Sequence, residues 1–243
     1  MATGSTSGSR VSLATGLGAK TLFVLGPALA YFEVVPAMTG FGIFGLAGLL
    51  ALVTVGIGAA TALRNGMAAT GPGLVLGLAL VVGFLVVAMP GCGVPRINDI
   101  TTDTVNPPQF VHAGTLPANV GRDMAYPGET FAAQQREAYP DIAPLLLAAD
   151  PTAVFAAAER VARATTRWEV TRVDADARVF EGVATTRVFR FKDDFVVTVA
   201  AAEGGGSVVQ MRSKSRDGKS DIGANAARIR DFFARLRQEL GAG

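Results

Sequence analysis

The residues that build metal centres and disulfides are almost absent from this sequence. Its 243 residues include one cysteine, Cys92, and one histidine, His112. A single cysteine excludes an intramolecular disulfide and favours a free thiol, and the two residues together exclude a zinc cluster of the Cys/His type. We therefore predict no metal site and no cofactor.

Motifs of common enzyme classes are also missing. The chain has no GxSxG nucleophile elbow, no phosphate-binding P-loop, no HExxH and no CxxC. His112 lies in a proline-rich stretch without a nearby serine or cysteine nucleophile, so a solvated histidine is the better interpretation. We predict no catalytic residues.

Charged side chains are scarce in the first part of the chain. Only five of them lie within residues 1–96, whereas close to one residue in four is charged in residues 97–243. Half of the whole chain is hydrophobic. The average thus hides two different parts, one suited to lipid and one suited to water.

Three apolar windows predict a membrane anchor. A chain crosses a bilayer as helices of about 20 apolar residues, and residues 21–39, 41–63 and 71–90 fit that length. We predict a disordered N-terminus over residues 1–20, followed by a transmembrane anchor of about three helices over residues 21–90.

Glycine recurs in the second window, and small residues let helices approach closely in lipid. The repeat is explained either by the general tolerance of membrane helices for glycine or by oligomerisation of the protein through this face. The glycines concerned are Gly42, Gly45, Gly48, Gly56 and Gly58.

The few charges of the anchor predict its orientation. Arg10 and Lys20 precede the first window and Arg64 follows the second, and basic residues favour the cytoplasmic side. Three spans then place the rest of the chain outside the cytoplasm. The net charge of +2 gives no reason to expect a nucleic-acid partner.

Residues 91–135 and residues 136–243 differ in pattern. The first stretch is rich in Pro, Gly, Thr, Asn and Asp and predicts an extended linker. The second predicts a soluble α+β domain, a two-layer sandwich in which two helices cover one face of about four antiparallel strands. The predicted elements are a helix over 152–165, β-rich runs at 167–174, 177–187, 188–200 and 207–216, and a final helix capped by Ser220 or Asp221.

A cationic stripe is the most informative pattern in this domain. In a strand, Arg212, Lys214 and Arg216 project to one side. They lead through Lys219 towards Asn225 at the N-terminus of the final helix, where backbone amides favour an anion. These five residues form our hypothetical anion site.

An alternative interpretation of the stripe stays open. Its cations can instead be solvated, or pair with Glu181, Asp217 and the acidic first half of the domain, while Asp221 fills the anion position at the helix N-terminus. Asp193 and Asp194 are interpreted as turn residues between two β-rich runs.

Five segments of the chain carry a resemblance to a known family. They are INDITTD (97–103), NPPQF (106–110), AYPDI (138–142), FKDDFVV (191–197) and RSKSRDGKSDIGANAARIRDF (212–232). They resemble the domain-of-unknown-function 1499 family of bacteria and plastids. The resemblance covers roughly residues 94–240 and implies a family in which membrane spans also precede the domain, but no activity.

Three functions remain open. The leading hypothesis is a non-enzymatic protein of the bacterial inner membrane, whose domain on the periplasmic side binds an anionic group such as a lipid head group. The second is a structural or assembly factor that docks on a membrane complex through the Pro-rich segment. The third is an enzyme with an unrecognised site, for which Arg212, Asp221 and Glu181 are the candidates.

Overall fold

The computed structural model describes residues 6–89 and 93–241. The chain forms two compact units. The first comprises Met1–Cys92 with Arg187–Arg190, and the second comprises Gly93–Thr186 and Phe191–Gly243. The predicted free thiol of Cys92 lies outside the described residues.

Three helices form the first unit. They are α1 (Ser7–Tyr31), α2 (Ala37–Asn65) and α3 (Pro72–Ala88). Within the described residues, α1 and α2 are long and apolar enough to cross a membrane, whereas α3 is a shorter apolar helix of 17 residues. The structure thus contains the three predicted helices, two of them with the length of a span.

Helix α1 begins earlier than the sequence predicted. Residues 7–20, which we expected to be disordered, are helical, and the hydroxyl of Thr6 accepts a hydrogen bond from the Ser9 amide at 3.2 Å. Small polar residues of this stretch form hydrogen bonds with α2. Ser12 Oγ donates to the carbonyl of Thr54 at 3.2 Å, as expected where helices pack through small polar residues.

The glycines of α2 divide into two groups. A Cβ atom at Gly48 would lie 2.7 Å from the Phe84 ring, and one at Gly58 would lie 2.8 Å from the side chain of Leu74, so α3 needs both glycines for its close approach. The remaining three glycines have no neighbouring atom within 4 Å of such a Cβ: Gly42, Gly45 and Gly56.

The second unit is built on an antiparallel sheet of six strands in the order β1-β6-β5-β4-β3, with β2 also paired to β6. The strands are β1 (Asp99–Thr101), β2 (Leu145–Leu147), β3 (Trp168–Asp174), β4 (Val179–Thr185), β5 (Lys192–Ala201) and β6 (Ser207–Ser215). The helices are α4 (Glu129–Ala138), α5 (Pro151–Ala164) and α6 (Ala224–Glu239).

The α+β class is confirmed, and the number of elements is corrected. The four long strands and helices α5 and α6 match the predicted elements, whereas β1, β2 and α4 were missed. A strand of three residues is too short to show an alternating pattern in the sequence. The cap of α5 also matches, because Asp150 accepts hydrogen bonds from the amides of Thr152 and Ala153 at 2.8 and 3.2 Å.

Helices α5 and α6 cover one face of the sheet and form the apolar core with it. The Trp168 ring lies 4.5 Å from that of Phe195 on β5 and 5.7 Å from that of Phe232 on α6. The strands contribute alternate residues to this core, among them Phe180 and Met211, which are fully buried.

The other face of the sheet is covered by irregular chain. Residues 102–127, here called the cover segment, contain two short 3₁₀ turns, Ala113–Thr115 and Pro117–Asn119. We expected an extended linker over residues 91–135, but β1, the cover segment and α4 all belong to the second unit. Side chains of the sheet form hydrogen bonds with several backbone amides and carbonyls of the segment. The segment therefore needs no helix or strand, and its sequence shows no periodicity.

The two edges of the sheet differ. Strands β1 and β2 both pair with β6, so two short strands share that edge. Strand β3 forms the opposite edge, and its register against β4 shifts between Val170 and Arg172. Such a shift bends the strand and increases its twist.

Candidate functional site

Arg212 and Lys214 lie on the face of β6 that the cover segment covers, and both bind the carboxylate of Asp99. Arg212 Nε and Nη2 donate to the two oxygens of Asp99 at 2.9 and 2.8 Å, and Lys214 Nζ donates to Asp99 Oδ2 at 2.8 Å. Arg212 and Asp99 have no exposed surface, and Lys214 is 8% exposed. The register of β1 on β6 places Asp99 directly beside Lys214.

The guanidinium of Arg212 also binds two separate points of the cover segment. It donates to the carbonyl of Pro108 at 3.3 Å and to that of Met124 at 2.9 Å. Its central carbon lies 4.8 Å from the Phe110 ring and 5.5 Å from the Tyr126 ring, within the range of a cation–π contact. One side chain thus joins the sheet to two distant points of the segment.

Tyr126 stays neutral beside this pair. Burial, followed by the nearby charge of Asp99, raises the pKa of Tyr126 to about 12. Its hydroxyl is buried and has no hydrogen-bond partner among the described residues. The ring therefore acts as a wall of the Arg212 site and not as a base.

Asp194 organises a second buried cluster on the same face. Arg216 donates to it at 2.6–3.1 Å, Arg122 at 3.3 Å and Asn119 Nδ2 at 3.0 Å. Arg122 also donates to the carbonyl of Ser215 at 2.7 Å. Asp194 has no exposed surface, so the two cations and the amide replace its hydration.

Glu181 forms the third attachment. Its carboxylate accepts hydrogen bonds from three consecutive backbone amides of the cover segment, those of Val111 and His112 at 2.8 Å and that of Ala113 at 2.7 Å. Glu181 is 1% exposed. Amides in irregular chain need such acceptors once they are buried, and a carboxylate supplies several at once.

Asn225 lies on the opposite, helix-covered face. Its Oδ1 accepts a hydrogen bond from Ser213 Oγ at 2.8 Å, and its Nδ2 donates to Ser215 Oγ at 3.0 Å. Arg228 donates to Ser213 Oγ at 2.9 Å and pairs with Asp193. These contacts fix the start of α6 to β5 and β6.

Asp221 lies just before α6, whose N-cap residue is Gly223 and not the predicted Ser220 or Asp221. Its two oxygens accept hydrogen bonds from the amides of Gly223 and Asn225, both at 2.8 Å. Burial raises the pKa of the Asp221 carboxyl, and these two amides partly oppose that shift. Lys219 lies nearby on the preceding loop and is exposed.

The structure brings only part of the predicted anion site together. Arg212, Lys214 and Arg216 share a face, as predicted, but carboxylates of the chain already pair with all three. The partners are Asp99 and Asp194. Both lie in the acidic first half of the domain, as the alternative interpretation expected, whereas Glu181 and Asp217 make no ion pair with the three cations within the described residues.

The structure corrects the interpretation of Asp193 and Asp194, and it does not bring the candidate enzyme residues together. Asp193 and Asp194 are not turn residues, because both are buried in strand β5 and paired with arginines. Arg212, Glu181 and Asp221, the candidate enzyme residues, each have separate partners. Within the described residues, no group of three His, Cys, Asp or Glu side chains could hold a metal ion.

The sequence reasoning missed Asp99, Asp194 and Arg122 as members of this network. Charged residues inside β-rich runs were the available signal, since a strand with two covered faces has no solvent for them. Asp194 lies in such a run, but its neighbours suggested a turn. Asp99 and Arg122 lie in the proline-rich stretch, where no periodicity indicates burial.

Comparison with known proteins gives one match. No curated protein and no solved structure matches the chain. The model of the family described as "Protein of unknown function (DUF1499)" matches residues 99–236, more than half of the chain. The match contains Asp99, Glu181, Asp194 and Arg212, so the three attachments of the cover segment lie inside it. The chain therefore belongs to the DUF1499 family.

Proposed function

We propose that this protein is a non-catalytic docking protein of a membrane, and that the cover segment binds an uncharged surface of another protein in the same membrane. The observation that carries the proposal is a rigidly attached irregular segment in which residues 104–121 carry no charge. The proposal is the assembly role considered from the sequence, and the attached segment favours it over an anion site at the paired cations.

Three buried side chains give the cover segment a fixed shape. Arg212 binds two of its carbonyls, Glu181 binds the amides near its middle, and Asp194 binds the side chains of Asn119 and Arg122. A loop that is already ordered loses little conformational entropy when it binds. Such fixation is costly to build from buried charges, which supports a role for the shape itself.

Residues 104–121 of the segment lack charge, and the charged residues Asp103, Arg122 and Asp123 flank this stretch. Residues 104–121 contain no Asp, Glu, Lys or Arg, in a domain where about one residue in four is charged. Val105, Val111 and Val120 are 81%, 60% and 77% exposed. Depletion of charge is the compositional mark of a protein interface core.

A lipid surface is a poorer fit to this segment. Binding to anionic lipids relies on exposed basic residues, and insertion into the head-group region relies on exposed aromatic rings. The segment has one basic residue, Arg122, which pairs with Asp194, and its rings of Phe110 and Tyr126 are partly buried against Arg212. An uncharged protein surface is the complementary partner.

Site-specific photocrosslinking in native membranes tests the proposal. A photoreactive residue replaces Val111 or Val120 in the full chain, and the same residue replaces Leu146 as the control. Leu146 is 69% exposed in β2 and lies outside the cover segment. We expect the same discrete protein adduct from both cover positions and none from Leu146, and we expect Val105→Asp to suppress it.

Three results would overturn the docking role. They are adducts with lipid alone, adducts with a second copy of this chain alone, and equal adducts from Leu146. A loss of adduct in Val105→Asp counts only if that variant keeps its expression level and its resistance to protease.

We further propose that α1, α2 and α3 cross the inner membrane of a bacterium and place the second unit in the periplasm. Two helices of sufficient length support the crossing, and Arg10 near the start of α1 and Arg64 in the last turn of α2 support this orientation. A reporter that is active only outside the cytoplasm should give signal when fused after Gly243 and none when fused after Asn65. Signal from the Asn65 fusion alone would reverse the orientation.

A further inference from the structure

A groove on the second unit lies between α6 and the chain that leads into β2. It has a volume of about 270 Å³. Its floor is apolar and consists of the buried side chains of Leu145, Ile229 and Phe233. None of its lining residues belongs to the cover segment or to the buried charge network.

Two arginines of α6 line the groove and differ in their partners. Arg230 is neutralised, because its Nε and Nη2 donate to the two oxygens of Asp141 at 2.5 and 2.6 Å. Arg237 is exposed and makes no ion pair with any described residue. The groove thus has one uncompensated positive charge beside an apolar floor.

The spacing of the two arginines places them at different ends of the groove. Seven residues correspond to about two helical turns, so Arg230 and Arg237 share one side of α6 at a separation of roughly 10 Å along the axis. At the other end the positive charge of Arg230 is neutralised by Asp141, and its guanidinium also lies 5.5 Å from the Tyr139 ring. Only the Arg237 end offers free donors to an anion.

We propose that this groove binds a small anionic amphiphile, with its carboxylate or phosphate on Arg237 and its apolar body on Leu145, Ile229 and Phe233. A guanidinium supplies paired donors that fit both kinds of anion. Water occupies about 30 Å³ per molecule in the liquid, so the groove has room for roughly ten non-hydrogen atoms. A short acyl chain with an acidic head group has this size and chemistry.

The test uses the full chain in nanodiscs of neutral phosphatidylcholine and measures equilibrium binding of octanoate. Arg237→Gln should weaken binding at least about tenfold, because a charge-assisted hydrogen bond is lost. Arg235→Gln is the matched control. It removes the same charge from the same helix, but Arg235 pairs with Asp231 and does not line the groove. The control should bind octanoate within about twofold of the unaltered protein.

Octanamide tests the need for charge. It keeps the apolar body of octanoate and removes the negative charge, so it should bind the unaltered protein at least about tenfold more weakly. The proposal fails if the unaltered protein does not bind octanoate, if octanamide binds equally well, or if Arg235→Gln weakens binding as much as Arg237→Gln.

A second nanodisc composition separates the two sources of such an anion. If phosphatidylglycerol in the bilayer competes with octanoate, the natural ligand is a lipid head group with its first methylenes. If it does not compete, the ligand is a free amphiphile. Either result leaves the docking role of the cover segment untouched, because the crosslinking positions lie outside the groove.

Discussion

The two faces of the sheet in the second unit are both buried, but by different chemistry. Neighbouring residues on one strand show the contrast, since Phe180 enters the apolar core while Glu181 binds the cover segment. Phe195 and Asp194 on β5 divide in the same way. One face is closed by helices and the other by irregular chain.

The difference follows from what each covering element needs. A helix satisfies its own backbone amides and carbonyls, so a sheet can cover it with apolar side chains alone. The cover segment has few such internal bonds, and its amides and carbonyls would be costly to bury without partners. Glu181 and Arg212 supply those partners.

The largest effect that we predict concerns the second unit as a whole. Both faces of its sheet are covered by its own residues, so residues 93–243 expressed alone should be soluble and folded. Circular dichroism should show a mixed α and β protein with a cooperative thermal transition. An insoluble or unfolded fragment would show that the first unit is needed to complete the fold.

The second largest effect is expected when the carboxylate of Asp99, which Arg212 and Lys214 share, is removed. Asp99→Ala leaves Arg212 and Lys214 buried without their anion, and breaking a buried pair costs about 3–5 kcal/mol. Urea denaturation of residues 93–243 measures the loss in the free energy of unfolding. Asp123→Ala removes an exposed carboxylate from the cover segment and should change that free energy by less than about 0.5 kcal/mol. Equal losses in both variants would contradict the assigned role of Asp99.

A smaller and local effect is expected at Glu181. In Glu181→Gln the charge is lost and one of the three amides loses its acceptor, which costs about 1–3 kcal/mol. Hydrogen exchange should accelerate at residues 111–113 more than in the strands. Phe180→Ala, which opens a cavity on the other face, should cost about 3–5 kcal/mol without that selective acceleration. A uniform increase in exchange in both variants would mean that the two faces are not independent.

The smallest predicted effect is a pH dependence at Asp221. Its folded pKa is raised above the ordinary value, so the folded state binds this proton more tightly than the unfolded state does. Its contribution to stability therefore falls as the pH rises from below the ordinary value to above the raised one. Asp221→Asn removes that loss, so its stability relative to the unaltered protein should improve between about pH 3 and pH 7. Unfolding curves across this range measure the difference.

The helix-covered face was predictable from the sequence, and the segment-covered face was not. Val154, Ala158 and Val161 recur at helical spacing in α5, and the four long strands carry β-rich runs, so the α+β class followed from pattern alone. The network on the other face joins Asp99 to Arg212 across more than one hundred residues. No local pattern reports such a pairing, because any exposed strand could carry the same charges.

The alternation of Arg212, Lys214 and Arg216 illustrates how far local reasoning extends. It placed the three cations on one side of the strand, and the structure agrees. Whether that side faces water or protein depends on the route of the proline-rich stretch. The absence of helical or strand periodicity suggested a linker. An irregular segment that is bonded to distant side chains also has no such periodicity, so the sequence pattern does not distinguish the two.

The edges of the sheet have a consequence for association between molecules. An open strand edge is a template on which another chain can add a strand, the first step towards aggregation. Here β6 is protected by two short strands, and β3 has a shifted register and carries Glu169, Arg172 and Asp174. A kinked and charged edge is a poor template for a straight partner strand. The sheet of the second unit therefore resists the addition of a further strand at either edge.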